Sequence, residues 1–184
     1  MSGLKLVGFA GSYNRPSKTR TLVEYIATHA GQQYHVDTRV FDLADLGPSL
    51  GHAQRQGDLD AAARQVVDAV VSADILVIGS PTYKGSYPGL FKHFIDLIDP
   101  DQLRAKPILI SATGGGDRHA LMVEHQLRPL FGFFMAHTLP TAVYASDRDF
   151  VDYKVTSEPL RQRIGFAIDE IAAFFPQARL AAAE

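Results

Sequence analysis

Short continuous apolar runs alternate with stretches of helical periodicity along the whole chain. Leu4–Ala10 (LKLVGFA), Asp74–Ser80 (DILVIGS) and Pro107–Thr113 (PILISAT) are nearly unbroken apolar segments, the pattern of strands buried on both faces. Tyr34–Leu43 (YHVDTRVFDL) alternates with period two and predicts a further strand, and Thr138–Ala145 (TLPTAVYA) a fifth. Between them lie five helical patterns. Thr19–Gly31 sets Leu22, Val23, Ile26 and Ala30 on one face, and Asp58–Ser72 does the same with Leu59, Ala62, Val66, Ala69 and Val70. Leu90–Ile98, Ala120–Met135 and Pro159–Phe174 complete the set. Pro129 lies inside the fourth helix, where it removes a backbone donor and crowds the preceding turn. That helix is therefore expected to kink or bond irregularly.

Five strands and five helices in alternation imply an α/β fold, a doubly wound parallel sheet with helices on both faces. No repeat, low-complexity tract or long linker divides the chain, so residues 1–184 read as one domain, with Ala181–Ala183 a frayed tail. Gly47–Gly57 (GPSLGHAQRQG) is the most irregular loop. Ligands of open parallel sheets bind beyond the carboxyl ends of the strands. In the order 2-1-3-4-5, the loops Gly11–Thr21, Pro81–Tyr87 and Thr113–His119 leave adjacent strands and share one crevice.

The net charge of −2 over 184 residues gives no electrostatic footprint for nucleic acid or an anionic membrane. The absence of cysteine excludes disulfides, thiolate metal sites and a cysteine nucleophile. The apolar run near the N-terminus is too short for a signal peptide or a membrane span, so a soluble cytoplasmic protein is the expectation.

The first loop contains Lys18-Thr19, the ending of a nucleotide-triphosphate loop. That loop requires glycine where Ser12 and Ser17 stand, so the pair is a decoy. The G-x-G-x-x-G dinucleotide fingerprint is missing as well. What the loop offers is hydroxyls, Ser12, Ser17, Thr19 and Thr21, around a helix start, where free amides and the helix dipole suit a monophosphate. Capping by Ser17 or Thr19 explains one of these hydroxyls but not all four. In the second loop Pro81 ends the strand, and Gly85 and Gly89 permit close approach of a ligand. Tyr83 and Tyr87 offer flat walls, and the amides from Thr82 to Gly85 offer bonds to a heterocycle edge; Lys84 reads as a solvated lysine. Phe91, Phe94, Leu97 and Ile98 belong to the core or to a subunit interface. The third loop places Gly114, Gly115 and Gly116 after Thr113, room for a flat ligand beside the backbone. Asp117, His119 and Glu124 lack a metal-ligand arrangement. No serine has the His/Asp setting of a hydrolase.

Together, GSYNRPSKTRTL, SPTYKGSYPGLFKHFIDLI and ATGGG resemble the NADPH-dependent FMN reductase family of flavodoxin-like flavoproteins, in order from Leu6 to about Tyr153. YKGSYPGLFKHFIDLI and HQLRPLFGFFMAHTLPTAVYASDRDFVDY are most similar to FMN reductases of two-component alkanesulfonate and methanesulfonate monooxygenase systems. The resemblance implies phosphate contacts from Ser12, Ser17, Thr19 and Thr21. It sets Pro81, Thr82, Tyr83, Lys84 and Gly85 against the isoalloxazine ring, and Thr113, Gly114, Gly115 and Gly116 near its pyrimidine end. An arginine frequent in the family three residues after the first-loop glycine is Asn14 here, with Arg15 next to it. An extra residue in the fourth helix of sulfonate-linked members gives a π-bulge near the oligomer interface. MVEHQLRP matches that place, with His125 where some relatives have Tyr. His125 is thus a candidate modulator of flavin transfer as well as an ordinary helical or interface histidine.

The implied reaction is hydride transfer from NADPH or NADH to FMN, with no side-chain acid or base strictly required. Reduced flavin would pass to an FMNH2-dependent monooxygenase. The apolar helices LFKHFIDLI and LRPLFGFFM point to a homo-oligomer, dimer or tetramer. Two rivals remain open: a quinone or azo-dye reductase that keeps FMN bound, and a non-catalytic flavodoxin-like electron carrier.

Overall fold

The computed structural model describes residues 4–175; the expected frayed tail lies outside them. Strands β1 (Lys5–Ala10), β2 (Asp37–Asp42), β3 (Ile75–Pro81) and β4 (Pro107–Gly114) lie in the order β2-β1-β3-β4, all parallel. The fifth position is occupied by two short strands, β5 (His137–Thr138) and β6 (Val143–Ser146), both parallel to β4. The single fifth strand expected over Thr138–Ala145 is thus broken. Pro140 has no N–H to give to a ladder, and the pairing offset to β4 grows by two residues between β5 and β6.

Helices α1 (Lys18–Tyr34) and α5 (Glu158–Asp169) cover one face of the sheet, and α2 (Ala61–Ser72), α3 (Gly89–Asp96) and α4 (Arg128–Phe133) the other. Two cores result. Leu22, Val23 and Ile26 of α1 meet Leu6, Val77 and Leu109 on the first face; Phe91, Phe94 and Phe131 meet Phe9, Ile78 and Ile110 on the second. Each fully buried side chain of this size is worth about 1.5–3 kcal/mol, so both helical layers are firmly held. Phe91, Phe94, Leu97 and Ile98 are all buried within this chain. Gly8 and Gly79 let α1 approach closely, since a Cβ on either would lie within 2.7 Å of a Val23 methyl.

Helix α1 runs past the expected Gly31 and takes in Tyr34, which the alternating pattern assigned to a strand. Tyr34 is buried and donates to the Ile168 carbonyl of α5 at 2.9 Å, so tertiary packing decides its fate. His35 then ends the helix in the left-handed conformation, with φ 52°. The irregular stretch after β2 forms short 3-10 turns at Leu43–Leu46, Pro48–Gly51 and Gln56–Asp58.

The irregularity expected at Pro129 takes the form of a π-helical turn, Val123–Leu127, directly before α4. Arg128 follows it and is held by Glu124 at 2.5 and 2.9 Å. Its guanidinium also donates to Thr138 Oγ1 and to the carbonyls of Leu139 and Pro140. The widened turn and the broken fifth strand are therefore one connected feature. A hairpin of β7 (Phe150–Val151) and β8 (Lys154–Val155), not foreseen from the sequence, follows β6.

Candidate functional site

The three loops converge where β1, β3 and β4 end. Ser17 is the N-cap of α1: its hydroxyl accepts the Arg20 N–H at 3.2 Å and donates to Ser12 Oγ at 2.8 Å. Ser17 thus serves as the cap and orients Ser12, whose hydroxyl keeps its own proton for another acceptor. The amides of Lys18 and Thr19, at the first two helical positions, have no partner among the described residues. Thr19 Oγ1 lies 2.6 Å from Thr113 Oγ1, both buried, which bolts the first loop to the third. Ser12, Ser17 and Thr19 line an open cleft of about 310 Å³, closed by Asn14, Pro16, Pro81, Tyr83 and Tyr153. Thr21 lies farther along α1, outside this lining.

The cations of the first loop are occupied. Arg15 grips Asp42 through two bonds of 2.8 Å and Asp45 through one of 2.7 Å, and Arg20 adds a 2.7 Å bond to Asp42. The Asp42 side chain is fully buried, so this four-residue box pins the loop to the end of β2. Hydrogen bonds to Asp42 and Asp45 hold the Arg15 guanidinium above its ordinary, already high pKa. Lys18 pairs with Asp147 at 2.7 Å, tying the loop to the segment after β6. The lysine that imitates a triphosphate loop is an anchor.

In the second loop Tyr83 and Ser86 exchange backbone hydrogen bonds of 2.8 and 3.1 Å around Lys84 and Gly85. Those two residues have φ of 53° and 86°, the left-handed pair of a type I′ turn. Of the four amides expected to face a ring, Thr82 donates to Thr113 O and Tyr83 to Ser86 O, which leaves Lys84 and Gly85. Thr82 Oγ1 is buried with no partner among the described residues. Tyr83 is half exposed and lines the cleft, whereas Tyr87 packs its ring on Phe91 in the core.

The glycine loop owes its composition to space, since none of Gly114, Gly115 and Gly116 has a positive φ. A Cβ on Gly114 would lie 2.2 Å from Tyr144 Oη, while one on Gly115 would meet only Asp147 Oδ2, at 3.9 Å, and one on Gly116 nothing within 4 Å. Tyr144 donates to Gly116 O at 2.6 Å and fixes the loop. Burial, and then the carboxylates of Asp117, Asp147 and Asp149, push its phenol pKa up, so it stays a donor. His125 is exposed on the π-helical turn and borders a hollow on the far side of Gly85.

Tyr144, Asp147 and Tyr153 were missed in the sequence. Tyr153 reaches the cleft from the β7–β8 turn, where it and Asp152 have φ of 58° and 47°. The adjacent hairpin strands are two residues each, too short to leave a periodic signal.

A planar phosphorylated cofactor such as FMN fits these residues. The phosphate end finds unpaired amides and the Ser12 hydroxyl proton, and the ring end finds the amides of Lys84 and Gly85, the orphan Thr82 hydroxyl and room beside Gly115 and Gly116.

The family model described as NADPH-dependent FMN reductase matches residues 4–150. An FMN reductase (NADPH) of Pseudomonas aeruginosa is 46% identical over 95% of this chain and 94% of its own. An NADH-dependent FMN reductase, SfnF, of Pseudomonas fluorescens is 44% identical over 94% and 92%. More distant is an FMN-dependent NADPH-azoreductase of Staphylococcus aureus, 25% identical over 95% of both chains. Among solved structures, an oxidoreductase of Corynebacterium diphtheriae superposes with a TM-score of 0.86 at 28% identity, covering 96% of this chain and 99% of its own. An archaeal flavodoxin gives 0.64 at 14% identity, over 93% and 99%, which establishes the shared fold. The chain belongs to the NADPH-dependent FMN reductase family and has the flavodoxin-like fold.

Proposed function

We propose that this chain is an NAD(P)H:FMN oxidoreductase, one FMN-binding domain that provides reduced FMN to a partner monooxygenase acting on alkane- or methanesulfonates. The observation that carries the reading is an open cleft at the ends of β1 and β3, lined by the N-terminus of α1 and by Pro81 and Tyr83, with the glycine loop tied in beside it through the Thr19–Thr113 contact. The likeness to FMN reductases of Pseudomonas supports it.

Bound FMN would supply the hydride acceptor for a reduced pyridine nucleotide. The chain's own work is to bind and orient. The amides of Lys18 and Thr19 and the hydroxyl of Ser12, oriented by Ser17, take the phosphate; Pro81, Thr82, Tyr83, Lys84 and Gly85 frame the ring; Thr113 and Gly114–Gly116 form the wall at its pyrimidine end. Thr113 acts through Thr19, since its hydroxyl is already engaged. No residue lining the cleft is a carboxylate or histidine, so no proton shuttle is built into it. The cleft is open, which suits a flavin that arrives and leaves as substrate.

We place the enzyme in the cytoplasm, with its supply of reduced pyridine nucleotide, and as a homo-oligomer. Phe133 is 68% exposed beside Ile95, Ile98 and Leu130 on the α3–α4 face, an apolar area suited to a second copy. Oxidation of NADPH and NADH by flavin-stripped protein, with FMN titrated in as the sole acceptor, tests the activity. Saturable turnover requiring micromolar free FMN (about the usual scale of KM) is expected. Flavin retained through purification, with turnover only after a quinone or azo dye is added, would instead establish the acceptor-reductase reading. Failure to oxidise either nucleotide would leave an electron carrier.

A further inference from the structure

We infer that Arg118 is a specificity-determining residue for the phosphates of the reducing dinucleotide, and that it binds them in the hollow across the Tyr83–Ser86 turn from the phosphate cleft. This rests on the reading above and extends it to the second substrate. Tyr83 lines the cleft, and Gly85, two residues on, lines a separate hollow of about 150 Å³ whose walls include Arg118, His119, His125 and Gln126. One two-residue turn thus divides the two hollows. A nicotinamide laid over a ring framed by Tyr83 and Gly85 would carry the rest of the dinucleotide out over the edge of that turn.

The polar groups of the hollow form a donor set. Gln126 Oε1 already accepts from Ser86 Oγ at 2.9 Å, which leaves its NH2 free to donate. Arg118 is exposed and has no carboxylate partner among the described residues, and neither has Lys84 in the turn itself. Nearby carboxylates do not cancel this charge. Asp117 is taken by Arg148 at 2.8 Å and Glu124 by Arg128 at 2.5 Å. Arg15 and Lys18, beside the phosphate cleft, are bound to Asp42, Asp45 and Asp147. Arg118 is therefore the guanidinium at hand for bidentate recognition of a phosphate. Relatives named for NADPH and for NADH stand at almost equal identity, 46% and 44%. Coenzyme preference thus turns on local residues of this kind.

The test is Arg118→Ala in the full chain, with Arg118→Lys as the conservative variant; the exposed, unpaired side chain makes folding insensitive to either. Binding of adenosine 2′,5′-bisphosphate and of ADP to the flavin-free protein is read by calorimetry, alongside KM for NADPH and NADH and the FMN dissociation constant. Arg118→Ala should weaken the bisphosphate or ADP by about tenfold or more, the scale of a lost charged hydrogen bond, with partial rescue by lysine. KM for the coenzyme should rise in parallel while kcat and FMN affinity hold. Loss confined to NADPH and the bisphosphate assigns Arg118 to the 2′-phosphate; equal loss with NADH and ADP assigns it to the pyrophosphate. Unchanged binding of both nucleotides, or a fall in FMN affinity instead, overturns the inference. Arg118-dependent nucleotide binding without NAD(P)H oxidation would sink the proposed activity and leave this site standing.

Discussion

Gly115→Val separates the fold from the ligand. A Cβ at Gly115 meets only Asp147 Oδ2, at 3.9 Å, and the residue has no positive φ. The folded chain thus accommodates the side chain, and the loss of glycine's freedom in the unfolded state offsets small repacking costs of order 0.4–1 kcal/mol. The melting temperature should shift by no more than about 3 °C. The valine methyls, however, would stand in the open space beside the wall, where the flavin ring is proposed to pass. Forcing two methyls into an occupied contact costs about 1–3 kcal/mol, which is roughly 5- to 150-fold in FMN dissociation constant. Gly114→Ala should behave in the opposite sense. Its Cβ would fall 2.2 Å from Tyr144 Oη and 3.2 Å from Cζ, so the tyrosine must move and release Gly116 O. That substitution should lower stability by about 1–3 kcal/mol before any ligand is added. Thermal melts of the flavin-free proteins and FMN titrations by quenching of flavin fluorescence read the two effects separately. Wild-type FMN affinity in Gly115→Val would refute the placement of the ring against the glycine loop.

Two further outcomes follow from the loop anchors. Thr19→Val or Thr113→Val alone should cost about 1–3 kcal/mol by leaving one buried hydroxyl unpaired, while the double variant should recover most of it; additive losses in urea titrations would show that the 2.6 Å contact is not a coupled pair. Burial pushes the Asp45 carboxyl up, but bonds from Arg15, the Asp42 amide and Arg20 outweigh it and hold the folded value below the ordinary 3.8. Its contribution is therefore complete above that unfolded value and is lost as pH falls through the depressed folded one. Between about pH 5 and 2 the urea midpoint of the wild type should fall more steeply than that of Asp45→Asn, and parallel curves would exclude Asp45 from the acid response.

The parts of this fold legible in the sequence are those fixed by local pattern. β3 and β4 are uninterrupted apolar runs, so the sheet order could be read, and their strand ends carry loops that meet beside the cleft. The hydroxyls at the start of α1 were legible by type, as was the disturbance near Pro129. The remainder depends on contacts distant in sequence. Tyr34 alternates like a strand residue but is claimed by α5. The fifth strand breaks where Pro140 cannot pair and Arg128 collects the freed carbonyls. Tyr153 enters the cleft from a hairpin too short to show a period, and nothing local in Thr21 says that it faces away from the lining.

The same long-range contacts bear on the phosphate site proposed above. Arg15 and Lys18 stand beside the cleft, and from sequence either could be a phosphate ligand. The structure gives Arg15 to Asp42 and Asp45, and Lys18 to Asp147. What remains for the phosphate is a set of amides and hydroxyls at a helix N-terminus, which favours a dianion through partial charges. A full guanidinium contact would add a charge-assisted bond worth about 1.5–3 kcal/mol, roughly a factor of ten or more in residence time. By turning these two cations into anchors, the chain keeps the loop rigid and withholds that bond from the proposed phosphate. A reductase that must release its flavin to another enzyme needs that combination, and an acceptor reductase that keeps its flavin does not. Loosening Arg15 through Asp45→Asn, which leaves its two bonds to Asp42, should therefore tighten FMN binding if the guanidinium turns to the phosphate, and slow FMN exchange in stopped-flow displacement. Unchanged exchange would show that Asp45 is not what holds Arg15 away from the phosphate.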